Sequence, residues 1–226
     1  MTQMTHTREW KKGDETMVFI PFPRANSQEA LDSTLGRKVT TPFGEMTEEE
    51  GWNPFKADAF GRILGIKFSA EDVFCADDQD RVKKLEQLKS ERDMLYLRGH
   101  CSAGSSMLTS PDRKVHVNED QILALLEGAL AKDFKGIIKV YSCHSGSDWC
   151  VVWQSFAQRL ANVMYDAGYK KCSFYGYTAK LSTWAEKKDL IGKQRKLAAD
   201  DSKTIIGLAS SRRIEITPAN KFSWSV

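Results

Sequence analysis

At 226 residues the chain can bury one core of ordinary domain size and little more. Charged residues make up 28% and apolar residues 41%, a mixture that excludes a disordered chain, and no apolar run approaches the roughly 18 residues of a membrane span. The net charge of +3 comes from Lys and Arg interleaved with Asp and Glu, which gives no nucleic-acid footprint. Residues 1–16 are polar and lack the apolar stretch of a secretory signal, so a flexible N-terminal arm is predicted, followed by a single domain over 17–226. The protein is expected in the cytoplasm, or exported without a cleaved signal. The run MVFIPF then reads as a strand that Pro21 and Pro23 confine to a sheet edge. Turn signals at Gly36, Gly44, Gly51 and Asn53-Pro54 make 24–76 irregular surface structure, with one strand around Ile63 to Phe68.

From residue 77 the pattern is regular. Val82, Leu85 and Leu88 share a helix face that ends near Ser90, and Met94 to Leu97 form a buried strand. Asn118 with Gln121 has the form of a capping box, opening a helix striped by Ile122, Leu125, Leu126, Ala129 and Leu130 and ended by Gly136. Ile137 to Tyr141 is the next strand, so 94–142 has the length of a parallel strand–helix–strand crossover. A second helix, carrying Val152, Phe156, Leu160, Val163, Met164 and Ala167, is expected from about Asp148 to a cap at Gly168, and CSFYGY at 172–177 follows. Residues 179–203 are Lys-, Asp- and Glu-rich and read as a solvated helix or mobile loop, before a last strand at 212–217. The expected architecture is α/β, a three-layer α/β/α sandwich with a mainly parallel central sheet.

The two central strands both end on residues that can do chemistry. MLYLRGH ends at His100 and IIKVYSCHSG carries Cys143, which puts imidazole and thiol at one edge of the sheet, where open α/β proteins bind ligands. A thiol needs a base or a positive field to form thiolate, and His100 can take that proton and return it to a leaving amine. Backbone N–H groups of HSGSD, at the start of the following helix, could face an oxyanion, with Gly146 allowing close approach. The five cysteines, Cys75, Cys101, Cys143, Cys150 and Cys172, are an odd set without regular spacing, which argues for free thiols. Cys101 could be a bystander, a second nucleophile or a redox partner of Cys143. His100, Cys101, Cys143 and His144 also supply two nitrogens and two sulfurs, a zinc set only if both loops curl back. His6 and His116 read as surface residues. Trp149, Trp153 and Trp184 either line a pocket or pack.

An apolar strand ending in His beside a Gly, then an apolar strand ending in a small residue plus Cys, resembles the caspase-like cysteine peptidases of clan CD. LYLRGH at 95–100 and IIKVYSC at 137–143 carry the resemblance, which covers about residues 80–180. GHCSAGSS and YSCHSG look most similar to bacterial toxin- and effector-associated members. The resemblance implies a parallel sheet flanked by helices, Cys143 as nucleophile and His100 as acid/base without an obligatory third member. It also implies an oxyanion and substrate loop drawn from Gly99, Cys101, Ser142, His144 and Gly146. One departure is that these enzymes carry Gly directly after the His, where this chain has Cys101. No cofactor or metal is implied, and the partner is a protein or peptide substrate. Arg212 and Arg213 could serve an acidic substrate residue and Asp148 a basic one, but these read as surface charges, and the sequence sets neither cleavage specificity nor oligomeric state. The alternatives are a non-catalytic binding or adhesion module of the same fold, and a zinc- or redox-sensing protein using Cys101 and Cys143.

Overall fold

A computed structural model describes residues 15–35, 38–41, 44–47, 62–64, 68–148, 154–187 and 194–219. In chain order they form β1 (Thr16–Ile20), α1 (Gln28–Leu35), β2 (Lys38–Thr41), β3 (Gly44–Thr47), β4 (Arg62–Leu64), β5 (Val73–Cys75), α2 (Arg81–Leu85) and β6 (Met94–Arg98). Then come β7 (Leu108–Thr109), β8 (His116–Val117), α3 (Glu119–Leu126), β9 (Ile137–Tyr141), α4 (Phe156–Asp166) and β10 (Ser173–Tyr177). The chain continues through β11 (Lys180–Lys187), β12 (Gln194–Ala199), β13 (Ile205–Leu208) and β14 (Arg213–Ile216).

The main sheet has six strands in the order β14-β10-β9-β6-β1-β5. All neighbours pair in parallel except β14, which runs antiparallel to β10. Its parallel part therefore has the 2-1-3-4-5 order of a doubly wound fold, with the reversal of strand order between β1 and β6. The strands are near-continuous apolar runs because both faces are covered, the signature of a buried parallel sheet. Helices flank it. On the face of Leu95, Leu97, Ile138 and Val140, an added Cβ at Gly176 would lie 2.9 Å from Ala157 of α4. On the opposite face, the Arg98 guanidinium donates to Ser33 Oγ of α1 at 2.6 Å. There Phe68, Tyr96, Tyr141 and Tyr177 meet edge to face in sequence, with centroids 5.4–5.9 Å apart.

The capping box of α3 is as expected: Gln121 N donates to Asn118 Oδ1 at 2.9 Å and Asn118 N to Gln121 Oε1 at 2.9 Å. Gly168 follows α4 with φ +101. Several expectations need correction. β1 is interior, between β6 and β5, because Pro21 and Pro23 lie just beyond Ile20 and leave every strand N–H free to pair. The described residues of 24–76 are more regular than expected: they contain α1, β2, β3, β4 and the edge strand β5. Of the strand expected around Ile63 to Phe68, Ile63 and Leu64 lie in β4, Phe68 is not in a strand, and 65–67 lie outside the described residues. Val82 is 43% exposed, so only Leu85 and Leu88 form the buried face at α2. The helix α3 stops at Leu126, with Gly128 at φ +79, and Gly136 is instead wedged against Phe134 and Asp93 O. Most of the described residues of 179–203 are neither helix nor loop: Lys180–Lys187 and Gln194–Ala199 are β11 and β12, which join β4 and β13 in an antiparallel four-stranded sheet, with a turn at 200–203. Among the described residues no helix is long and apolar enough to cross a membrane. The arm at 1–16 lies largely outside the described residues.

Candidate functional site

The register Leu97↔Val140 and Arg98↔Tyr141 brings β6 and β9 to the C-terminal edge of the sheet in step. One residue further on, Ser142 Oγ donates to Gly99 O at 2.7 Å, and Gly104 N donates to Ser147 O at 3.0 Å, so the two following loops are tied together. His100 and Cys143 are the next residue on each chain and leave the sheet from these bonded neighbours.

The backbone of His100 is fixed by a bridge to Thr109, with His100 N donating to Thr109 O at 2.8 Å and Thr109 N to His100 O at 2.9 Å. Its ring reaches solvent on one side. On the other, burial holds its pKa below the ordinary imidazole value; Glu29 opposes that shift, and Arg113 and Arg98 add to it. The neutral ring that results is a base.

Cys143 is half-buried, and its Sγ accepts a hydrogen bond from Leu181 N at the start of β11, 3.3 Å away. Negative sulfur would strengthen such a contact. His144 turns the chain back with φ +52. Ser145 Oγ then donates to Val140 O at 2.7 Å and accepts from Tyr177 N at 3.1 Å, locking the turn onto β9 and β10. The amides of HSGSD are mostly committed inside the protein: His144 N to Ala179 O, Ser145 N to Ser142 O, Gly146 N to Tyr177 O and Ser147 N to His144 O. The helix expected at Asp148 begins only at Phe156, and Asp148 Oδ1 accepts from Ser155 N at 2.6 Å ahead of it. The N-terminus of α4 is thus not the oxyanion donor that the sequence suggested. Among the described residues, the N–H groups of Cys143 and Cys101 donate to no protein acceptor.

The remaining candidates have other work. Gly146 is buried against β10, where an added Cβ would lie 2.9 Å from the Gly176 carbonyl carbon. His144 Nε2 is 3.6 Å from Asp201 Oδ1, and Lys180 Nζ is 3.1 Å from the same carboxylate. Burial pushes the thiols of Cys101 and Cys172 up to about 12 and that of Cys75 to about 11, which keeps these three protonated. The exposed His116 bonds Thr109 Oγ1 through Nδ1 at 3.0 Å. Arg213 lies over the Tyr175 ring at 5.0 Å, and Arg212 is exposed. Trp149, Trp153, Cys150 and His6 lie outside the described residues, and Trp184 is on β11 opposite Leu64. Among the described residues no group of three or more His, Cys, Asp or Glu is gathered as metal ligands, so His100, Cys101, Cys143 and His144 do not converge as a zinc set. Sequence reasoning missed Ser145, which ties the cysteine turn to two strands, and the start of β11, which sits on the sulfur. The only local signal for Ser145 was a small polar residue in a turn.

A comparison with protein-family models finds no match, and a comparison with curated proteins finds none either.

Proposed function

We propose that this chain is a cysteine peptidase of caspase-like type, built as a three-layer α/β/α sandwich, that cleaves peptide amide bonds through Cys143 and His100. The observation that carries the reading is the Ser142 Oγ to Gly99 O bond of 2.7 Å, which joins the ends of two parallel strands one residue before the nucleophile and the base. In the proposed reaction the Cys143 sulfur attacks the scissile carbonyl carbon while His100 takes the thiol proton. The carbonyl oxygen becomes an oxyanion, for which the N–H groups of Cys143 and Cys101, which have no acceptor among the described residues, are the candidate donors. Cys101 would serve through its backbone, since its protonated thiol is a poor second nucleophile. As the intermediate collapses the C–N bond breaks, the amine leaves with the proton from His100, and a thioester remains. Water, deprotonated by His100, then hydrolyses the thioester and returns the thiol. Resemblance in GHCSAGSS and YSCHSG favours a bacterial effector or toxin acting on a protein substrate.

The test is iodoacetamide labelling of the folded chain at neutral pH, followed residue by residue by mass spectrometry, with cleavage of a mixed peptide library as a second readout. Cys143 is expected to react first and faster than free cysteine, His100→Ala to slow it by about tenfold or more, and Cys143→Ala to abolish peptide cleavage. Equal labelling of all accessible thiols together with no cleavage would leave a non-catalytic binding module. Labelling that is suppressed by stoichiometric zinc would leave the metal-sensing alternative.

A further inference from the structure

The sulfur of Cys143 is met from outside its own sheet. Leu181 N, at the start of β11, donates to Sγ at 3.3 Å, and two residues earlier Ala179 O accepts from His144 N at 3.1 Å. One bond on each side of Lys180 thus lays 179–181 along the cysteine turn. Lys180 also pairs with Ala199 and Leu181 with Ala198, so the same segment begins the four-stranded sheet. The turn that follows β12 returns to this point. Asp201 Oδ1 lies 3.1 Å from Lys180 Nζ and 3.6 Å from His144 Nε2, and Asp201 O accepts from Lys180 Nζ at 3.3 Å. The turn itself is pinned, since Asp200 Oδ1 accepts from Thr204 N at 2.9 Å and from Ser202 Oγ at 2.7 Å. Lys180 foremost, and His144 further, hold the Asp201 carboxyl below the ordinary carboxylate range, so it is ionised at neutral pH. His144, directly after Cys143, keeps a left-handed backbone at φ +52. Such a conformation persists where its surroundings hold it, and here Ala179 holds the N–H and Asp201 faces the ring.

We propose that Asp201 is a positioning residue for Cys143: by bridging Lys180 and His144 it clamps the start of β11 onto the cysteine turn, and the Leu181 N–H held there is a donor to the thiolate. The inference rests on the Cys143–His100 reading and adds a group that neither member of the pair supplies, a hydrogen bond that favours the charged form of the sulfur. Lys180 is the cationic partner of the clamp, and His144 adds to it when its ring is protonated. The other ionisable groups coupled by charge to the sulfur are Arg98 of β6, Cys101 beyond it and Tyr141 of β9, with His100 as the proposed base. Exchanges at Asp201 leave all four in place.

The experiment is a pH profile of iodoacetamide alkylation at Cys143 in the full chain, with NMR amide hydrogen exchange at Leu181, for wild type, Asp201→Asn and Asp201→Glu. The Asp201 side chain is 85% exposed, so Asp201→Asn removes a charge without opening the core. It is expected to raise the midpoint of the profile by about half a pH unit, with alkylation about threefold slower on the acid side. Leu181 exchange should quicken by about threefold or more. Asp201→Glu keeps the charge and should recover most of both. The sign is diagnostic. Loss of a nearby negative charge by itself favours thiolate and would lower the midpoint, and a loss of fold stability alone would leave it where it was. A midpoint that stays put or falls in Asp201→Asn overturns the proposal, as does Leu181 exchange at the wild-type rate. The outcomes also separate the two readings. Fast, His100-dependent labelling of Cys143 with no dependence on Asp201 removes the clamp and leaves the dyad. Wild-type labelling no faster than free cysteine, with a midpoint and a Leu181 exchange rate that still depend on Asp201, removes the peptidase reading and leaves the clamp on the sulfur.

Discussion

The role proposed for His100 as a base requires a neutral ring when substrate arrives, and its surroundings favour that form. Protein packed on its inner side disfavours the imidazolium, and Arg113 and Arg98 push the same way against Glu29. Its folded pKa therefore lies below the unfolded value of about 6.5. In the window between the two, the unfolded chain binds more protons, so the contribution of His100 to stability is complete above about pH 6.5 and declines as pH falls toward the folded pKa. Two results follow. The acid limb of Cys143 alkylation should fall below about pH 6.5, and urea unfolding should show wild type losing more stability than His100→Gln between neutral and mildly acidic pH. An acid limb well above that value would mean that the resting ring is charged, and the neutral-base description would fail.

At the scale of elements, the sequence was legible where period and punctuation agreed. The capping box of α3, the buried runs of β6 and β9, and the glycine after α4 depend on neighbours in sequence, and all three are found. What stayed hidden depends on partners far along the chain. Pro21 and Pro23 suggest an edge strand only if the strand includes them; β1 ends at Ile20, before both, and pairs on both sides. β11 and β12 are rich in charge and poor in the usual strand residues, and they form by pairing with each other and with β4 and β13. So the strand that puts an N–H on the Cys143 sulfur was invisible, while the cysteine itself was plain. The cysteine turn also depends on a close approach that only glycine permits: an added Cβ at Gly176 would sit 2.7 Å from Gly146 Cα and 2.8 Å from its nitrogen, backbone atoms that cannot swing away. Gly176→Ala is therefore expected to cost roughly 2–3 kcal/mol in urea unfolding. It should also slow Cys143 alkylation while leaving Cys172 unchanged. Unaltered stability and unaltered labelling together would show that the turn is free to move off β10.

Across the whole molecule, the proposed Cys143–His100 site and the Asp93 anchor lie at opposite ends of the sheet. The N-terminal ends of β1, β6 and β9 meet at Asp93, a buried carboxylate with relative exposure of 2%. Its Oδ1 accepts from Glu15 N at 3.0 Å, its Oδ2 from Lys89 N and Ser90 N at 2.7 Å each, and its backbone oxygen from Ile137 N at 2.9 Å. One side chain thus holds the start of one strand and the turn leading into another, and its main chain holds a third. The C-terminal edge has its own tie in Ser142 and Gly99, so the strand ends bearing His100 and Cys143 are held independently of the far clamp. Asp93→Ala would leave backbone donors without an acceptor and is expected to cost about 3 kcal/mol in urea unfolding. Alkylation of Cys143 in the still-folded protein should nevertheless stay within about twofold of wild type, since distant sites without shared partners act nearly independently. A large drop in Cys143 reactivity with only minor loss of stability would sink this separation, because it would mean that the register of the whole sheet, and not the local Ser142 bond, aligns the two residues.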